Sequence, residues 1–185
     1  MKIYALFDYA LFIKKEHSIK QFIELCYKNN ASYLQYRDKI NSQEQKIANI
    51  KKIKSFWDKV LIINDDIDLI QYCDGLHLGQ EDLRKVSKNK MEAIKKVREK
   101  IGKKIFGIST HNKEEVLEAN LLDIDYIGLG AYRGTLTKKV SNILGDEIEV
   151  IASFSKHPVA AIGGVKRDDN IKNIEFLVLG SGLYL

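Results

Sequence analysis

Two acidic residues, Asp65 and Asp82, follow two short apolar runs at a spacing that lets them work as a pair. The first run, VLII at 60–63, empties into Asn64, Asp65 and Asp66; the second, GLHL at 75–78, is followed by Gln80, Glu81 and Asp82. Short β-branched runs separated by a helix-length segment read as buried strands of a βαβ unit. If the two strands are parallel, both clusters leave the same edge of the sheet, and Asp65 and Asp82 face one divalent cation. One or two carboxylates, completed by water and substrate phosphate, suit Mg²⁺. The alternative is that these acids cap the helices that follow, a role Asp serves well. Asp66 is assigned to a cap, and Asp65 and Asp82 to the metal.

Two further sets of residues point to anions. Glycines at 163–164 and the run Gly180, Ser181, Gly182 each follow an apolar run near the C-terminal end. Backbone N–H groups at such turns bind phosphate, and glycine is needed where a Cβ would obstruct that approach. Arg37 and Lys39 alternate after another apolar run, and with Lys138 they can surround a more highly charged anion held by the Asp65–Asp82 metal. A metal-assisted anion site and a backbone anion site, with no evident nucleophile, suggest group transfer with diphosphate as the leaving group. Cys26 and Cys73 both sit inside apolar segments, which argues against thiol catalysis. His77 lies within a strand and is assigned to the core. His111 follows a strand with its role open, and His17 and His157 read as loop residues.

Eight apolar strands must position these groups, at 2–7, 33–36, 60–63, 75–78, 104–108, 126–129, 158–162 and 176–179. Between them lie helical patterns at 18–26, 42–57, 67–72, 83–101, 112–122 and 145–155, with at best a short helix at 167–174. Strict alternation with near-continuous apolar strands implies a parallel sheet covered by helices. Eight such units close into an α/β (β/α)₈ TIM barrel with its site at the C-terminal strand ends. An open doubly wound sheet gathers ligands at one switch point. Here polar residues follow nearly every strand, which favours the barrel.

The 185 residues are read as a single domain, 1–185, and 45% of them are hydrophobic, as in an ordinary globular chain. The net charge of +5 comes from lysines spread among acids and decides little about partners. The lysine-rich stretch at 88–100 is a solvated helix face, with no interleaved aromatics to suggest nucleic acid. Two buried thiols without metal-ligand spacing fit a reducing cytoplasm. No run is long enough to span a membrane, and the N-terminus reads as a strand.

The motifs resemble those of thiamine phosphate synthase, in order from Gln35 to Ser181. They are QYRDK at 35–39, IND at 63–65, GLHLGQED at 75–82, GIS at 107–109, DYIGLG at 125–130, TLTK at 135–138 and AIGG at 161–164. The resemblance implies a barrel that joins hydroxymethylpyrimidine diphosphate to a thiazole phosphate and releases diphosphate, the pyrimidine dissociating as a cation before the thiazole nitrogen attacks. Carried across, Gln35, Arg37, Lys39, Asn64, Ser109 and Lys138 hold the pyrimidine diphosphate, with Arg37, Ser109 and Lys138 nearest the chemistry. Asp65 and Asp82 hold Mg²⁺, and Thr135, Thr137, Gly164, Gly180 and Ser181 hold the thiazole phosphate. The chain departs from the family after strand six, where Ala131, Tyr132, Arg133 and Gly134 replace the usual prolines and Arg133 is expected to add an anion contact. The final helix is missing, which predicts an apolar strip beside strands eight and one and a homodimer covering it. The related thiazole tautomerases tend to lose the metal carboxylates and carry a histidine where Ala131 stands. A degenerate binding protein is a third reading, against which every charged residue of the mouth is retained.

Overall fold

The computed structural model describes residues 1–134 and 143–184. Its strands are β1 (Lys2–Asp8), β2 (Ala31–Arg37), β3 (Val60–Asn64), β4 (Gly75–Leu78), β5 (Ile105–Thr110), β6 (Tyr126–Gly130), β7 (Val159–Ile162) and β8 (Phe176–Leu179). Each pairs in parallel with the next, and β8 closes on β1, giving the expected (β/α)₈ barrel. The described helices are α1 (Tyr9–Phe12), α2 (Ile19–Lys28), α3 (Gln43–Lys54), α4 (Gln80–Val86), α5 (Lys90–Ile101), α6 (Lys113–Ala119) and α7 (Glu147–Ala152).

Period two along the strands separates two apolar layers. Tyr4, Leu6, Ile62, Tyr126, Ala160, Phe176 and Val178 fill the barrel interior. Their neighbours Ala5, Phe7, Leu61, Ile63, Leu177 and Leu179 face outward and pack with Phe22, Ile50, Ile94 and Val116 of the helices. Each such Leu, Ile, Val or Phe side chain, fully buried, contributes about 1.5–3 kcal/mol. The helix starts follow the sequence: Ser18 and Gln21 form a capping box on α2, Ser42 caps α3 and Asn112 caps α6. Each cap contributes about 1 kcal/mol.

The structure corrects four local expectations. The segment 83–101 is not one helix. It breaks between Val86 and Lys90, where Asn89 accepts from the Glu92 N–H and starts α5, and α4 begins earlier, at Gln80. Between β7 and β8 there is no helix among the described residues. Asp169 accepts from the Lys166 N–H (2.7 Å), a local bond that favours a turn over a helix. Asp66 makes no side-chain cap; its carboxylate meets Lys46 Nζ and Gln43 Nε2, both at 3.0 Å. The apolar strip expected beside β8 and β1 is not exposed: no residue of β8 is more than 5% exposed, and its outward-facing Leu177 and Leu179 belong to the same buried cluster as Val165, Ile171, Ile174 and Leu183. That burial removes the ground for a homodimer at that face. No described helix is long and apolar enough to cross a membrane.

Candidate active site

Parallel pairing sends every strand's C-terminal end to one rim. In the β3–β4 register Asn64 pairs with His77, so Asp65 leaves β3 one residue past that level and Asp82 sits in the first turn of α4, just beyond β4. Asp65 has a left-handed backbone (φ 64), a conformation Asp tolerates better than most side chains, and its N–H donates to the His77 carbonyl (2.9 Å). This geometry aims its carboxylate at Asp82, close enough for the two to hydrogen-bond. Burial, together with the Asp82 charge and despite Lys39, holds the Asp65 carboxyl above its ordinary range. Asp82 is likewise penalised by burial, but Lys85 (2.7 Å) and the bond from Asp65 pull it below. Two carboxylates that compete for one proton are a ready divalent-cation site. Among the described residues no group of three or more His, Cys, Asp or Glu converges. The donor set therefore fits a cation that completes its shell with water and ligand oxygens, as Mg²⁺ does.

Cations flank this pair. Lys39 Nζ lies 3.1 Å from Asp65 Oδ2, and Arg37, at the end of β2, is ion-paired with the buried Asp8. The turn carrying Lys39 is fixed from below by a group the motifs left unassigned. Asp38 accepts from Tyr36 Oη (2.6 Å) and from the N–H groups of Ile40 (2.9 Å) and Asn41 (3.1 Å). Burial works against the Asp38 charge, yet these bonds hold its carboxyl below the usual range.

Gln35 and Ser109 also face inward, and a buried chain of hydrogen bonds joins them. Gln35 Nε2 donates to Tyr4 Oη (2.9 Å), Tyr4 Oη meets Tyr126 Oη (2.9 Å), Tyr126 Oη meets His77 Nδ1 (2.9 Å), and His77 Nε2 meets Ser109 Oγ (3.0 Å). With every hydroxyl proton given a partner along this chain, Tyr4 donates to Tyr126 and Tyr126 to His77 Nδ1, the His77 tautomer with its proton on Nε2. His77 then donates from Nε2 to Ser109 Oγ, which leaves the Ser109 proton available to a ligand in the mouth. The sequence assigns His77 to the core, and it is buried; the motifs give Tyr4 and Tyr126 no role. Their signal is glycine: a Cβ on Gly107 would lie 2.1 Å from the Tyr126 ring, and one on Gly128 would lie 3.1 Å from His77.

Burial lowers the His77 pKa to about 4, so the ring is neutral at pH 7. From the ordinary 6.5 down to that value the unfolded chain binds a proton that the native chain refuses. Native stability is therefore expected to fall by about 3 kcal/mol as pH drops from about 6.5 to about 4. Urea unfolding across that range checks this. His77→Gln, which has nothing to titrate there, should show a flatter dependence, and an equal slope in both proteins would reject the assignment.

The glycine turns expected to take a second anion leave the same rim on the far side of the barrel. Gly163 (φ 88) and Gly164 (φ 62) turn left-handed after β7, and Gly180 and Ser181 follow β8. The glycines serve packing as well as ligand approach, because a Cβ at 163 would meet Ala131 Cβ at 2.6 Å and one at 164 would meet Arg133 Cβ at 2.7 Å. Thr135, Thr137 and Lys138 lie outside the described residues. His111 bonds Glu115 through both its N–H and Nδ1 (2.8 and 2.9 Å) and so helps to start α6. Cys26 and Cys73 are buried, and burial pushes the Cys73 thiol up to about 12, far from a nucleophilic thiolate.

A family model described as thiamine monophosphate synthase matches residues 3–176. The chain belongs to that family. A thiamine-phosphate synthase of Persephonella marina is 34% identical over 185 residues, covering 96% of this chain and 81% of that protein. One of Lawsonia intracellularis is 33% identical over 180 residues, covering 93% of this chain and 77% of that protein. Among solved structures, thiamine phosphate pyrophosphorylase from Pyrococcus furiosus superposes with a TM-score of 0.76 at 22% identity, covering 97% of this chain and 85% of that one. At that identity the likeness concerns the barrel alone. The C-terminal rim of that barrel carries Asp65, Asp82, Ser109 and Gly164.

Proposed function

We propose that this chain is a thiamine phosphate synthase that transfers a pyrimidinylmethyl group from its diphosphate to the nitrogen of a thiazole phosphate, with Mg²⁺ held by Asp65 and Asp82. The observation that carries the metal assignment is the paired carboxylates at the rim, one of them held in an uncommon backbone conformation, with Lys39 against them. The bond between the methylene carbon and the diphosphate oxygen breaks, and its electron pair leaves with diphosphate. The thiazole nitrogen lone pair then forms the new carbon–nitrogen bond. A bound divalent cation supplies neutralisation of charge on the departing diphosphate. Arg37, Lys39, Asn64 and Lys138 orient that group, and Gln35 and Ser109 orient the pyrimidine ring through the buried chain. The turns at Gly164, Gly180 and Ser181, with Thr135 and Thr137, take the smaller phosphate. No covalent intermediate with the protein is needed, in keeping with the buried thiols.

Incubation with both substrates and Mg²⁺, followed by chromatography of the products, tests the reading. Thiamine phosphate is expected only when both substrates are present, and EDTA is expected to abolish it. Isomerisation of the thiazole phosphate that ignores EDTA, without condensation, would indicate a tautomerase instead. Binding of either substrate without any product would indicate a binding protein.

A further inference from the structure

The Arg133 charge is engaged within the protein. Its guanidinium forks onto Asp169, with Nη1 2.7 Å from Oδ2 and Nη2 2.8 Å from Oδ1, and it lies over the Tyr132 ring at 4.2 Å. Asp169 is largely buried and is fixed in turn by the Lys166 N–H (2.7 Å). The charge of Arg133 is thus already matched. Two further bonds from Arg133 go to the glycine turn: its main-chain N–H donates to the Gly163 carbonyl (2.8 Å), and Nη1 also donates to the Gly164 carbonyl (3.1 Å).

Those two bonds fix more than two oxygens. In a planar trans peptide the C=O and the following N–H point in opposite directions. Tying the Gly163 carbonyl to Arg133 therefore turns the Gly164 N–H away from Arg133, and tying the Gly164 carbonyl does the same for the Val165 N–H. Among the described residues neither N–H donates to any other group. Successive N–H groups presented by left-handed residues form an anion-binding concavity.

We infer that Arg133 and Asp169 form a clamp that presets the Gly163–Gly164 turn to bind a phosphomonoester, acting as positioning residues that do not touch the ligand. This rests on the assignment of that turn to the thiazole phosphate in the proposed function.

Steady-state kinetics of Arg133→Ala, Asp169→Asn and the double variant test the clamp. Each single change is expected to raise KM for the thiazole phosphate about tenfold, equivalent to about 1.4 kcal/mol of binding, and to leave KM for the pyrimidine diphosphate within about twofold. The double variant should be no worse than either single, because both remove one device. Arg133→Lys, which keeps the charge and loses the fork, should resemble Arg133→Ala. If Asp169→Asn instead tightens thiazole phosphate binding while Arg133→Ala weakens it, Arg133 is a direct ligand contact and the clamp is wrong. Unchanged KM values in all variants of an active enzyme would also overturn it. If the unsubstituted protein makes no thiamine phosphate, the functional reading fails, and titration with inorganic phosphate watched by amide NMR still decides the clamp. The Gly164 and Val165 amide signals should then move in the unsubstituted protein, and the Val165 signal should respond about tenfold more weakly in Arg133→Ala, which keeps the main-chain bond to the Gly163 carbonyl but loses the one to Gly164. Equal responses in the two proteins, or none in the unsubstituted one, would overturn it.

Discussion

Asp65→Asn is expected to lower kcat/KM by about 10³-fold, with little effect on the fold. Asparagine keeps the size of the side chain and its tolerance of the left-handed backbone at φ 64, so the turn after β3 survives. What disappears is one of the two charges that face the cation. Without metal the native Asp65 carboxylate is destabilising, since burial and the Asp82 charge hold its carboxyl above the ordinary range. The metal-free variant is therefore expected to unfold at the same temperature as the native protein or slightly higher, which separates lost chemistry from lost structure. The same raised range sets the pH dependence. As pH falls through it, protons compete with the cation for Asp65, so kcat/KM should decline on the acidic side and recover with excess Mg²⁺. Kinetics at several Mg²⁺ concentrations checks both points. A variant that retains a tenth of the activity and still responds to EDTA would remove Asp65 from the metal site.

Gly107→Ala is expected to destabilise the barrel by about 3 kcal/mol and to lower its melting temperature by roughly 10 °C. A Cβ at this position would lie 2.1 and 2.2 Å from ring atoms of Tyr126, inside a barrel whose interior has no room to yield. The ring must move, and its hydroxyl then leaves both Tyr4 and His77. Activity should therefore drop along with stability. The double variant Gly107→Ala, Tyr126→Leu relieves the collision and should recover only part of the stability, because Tyr4 Oη and His77 Nδ1 both lose their buried partner. It should recover none of the activity, because His77 Nδ1 still lacks its donor. Calorimetry and kinetics on the two proteins check this pair of expectations, and full activity in the double variant would show that the buried chain is dispensable.

Much of this site was legible because the barrel converts position along a strand into position in space. Once VLII and GLHL are read as parallel neighbours, Asp65 and Asp82 must leave at the same rim, and the register of Asn64 against His77 bears that out. Contacts between distant strands were not legible. Tyr4 and Tyr126 meet across the barrel, 122 residues apart, and only closure of β8 on β1 fixes which inward side chains share a level. Gly107 and Gly128 marked the space those rings need, but a strand glycine alone does not say which neighbour fills it. Arg133 misled for a related reason. A cation beside an anion site reads as a ligand contact until its partner is found, and Asp169 lies 36 residues further on in a stretch where a short helix was expected. The single helix read over 83–101 failed at Ser87 and Asn89, whose side chains bond locally and restart the helix.

Manganese binding followed by electron paramagnetic resonance is the most direct test of the metal-held diphosphate. The ion reports its own coordination, and its chemistry resembles that of Mg²⁺. One Mn²⁺ per chain is expected, held weakly alone and more tightly once pyrimidine diphosphate is added, with that tightening lost in both Asp65→Asn and Asp82→Asn. Equal Mn²⁺ affinity in the native protein and in the two variants, with diphosphate present, would contradict the account.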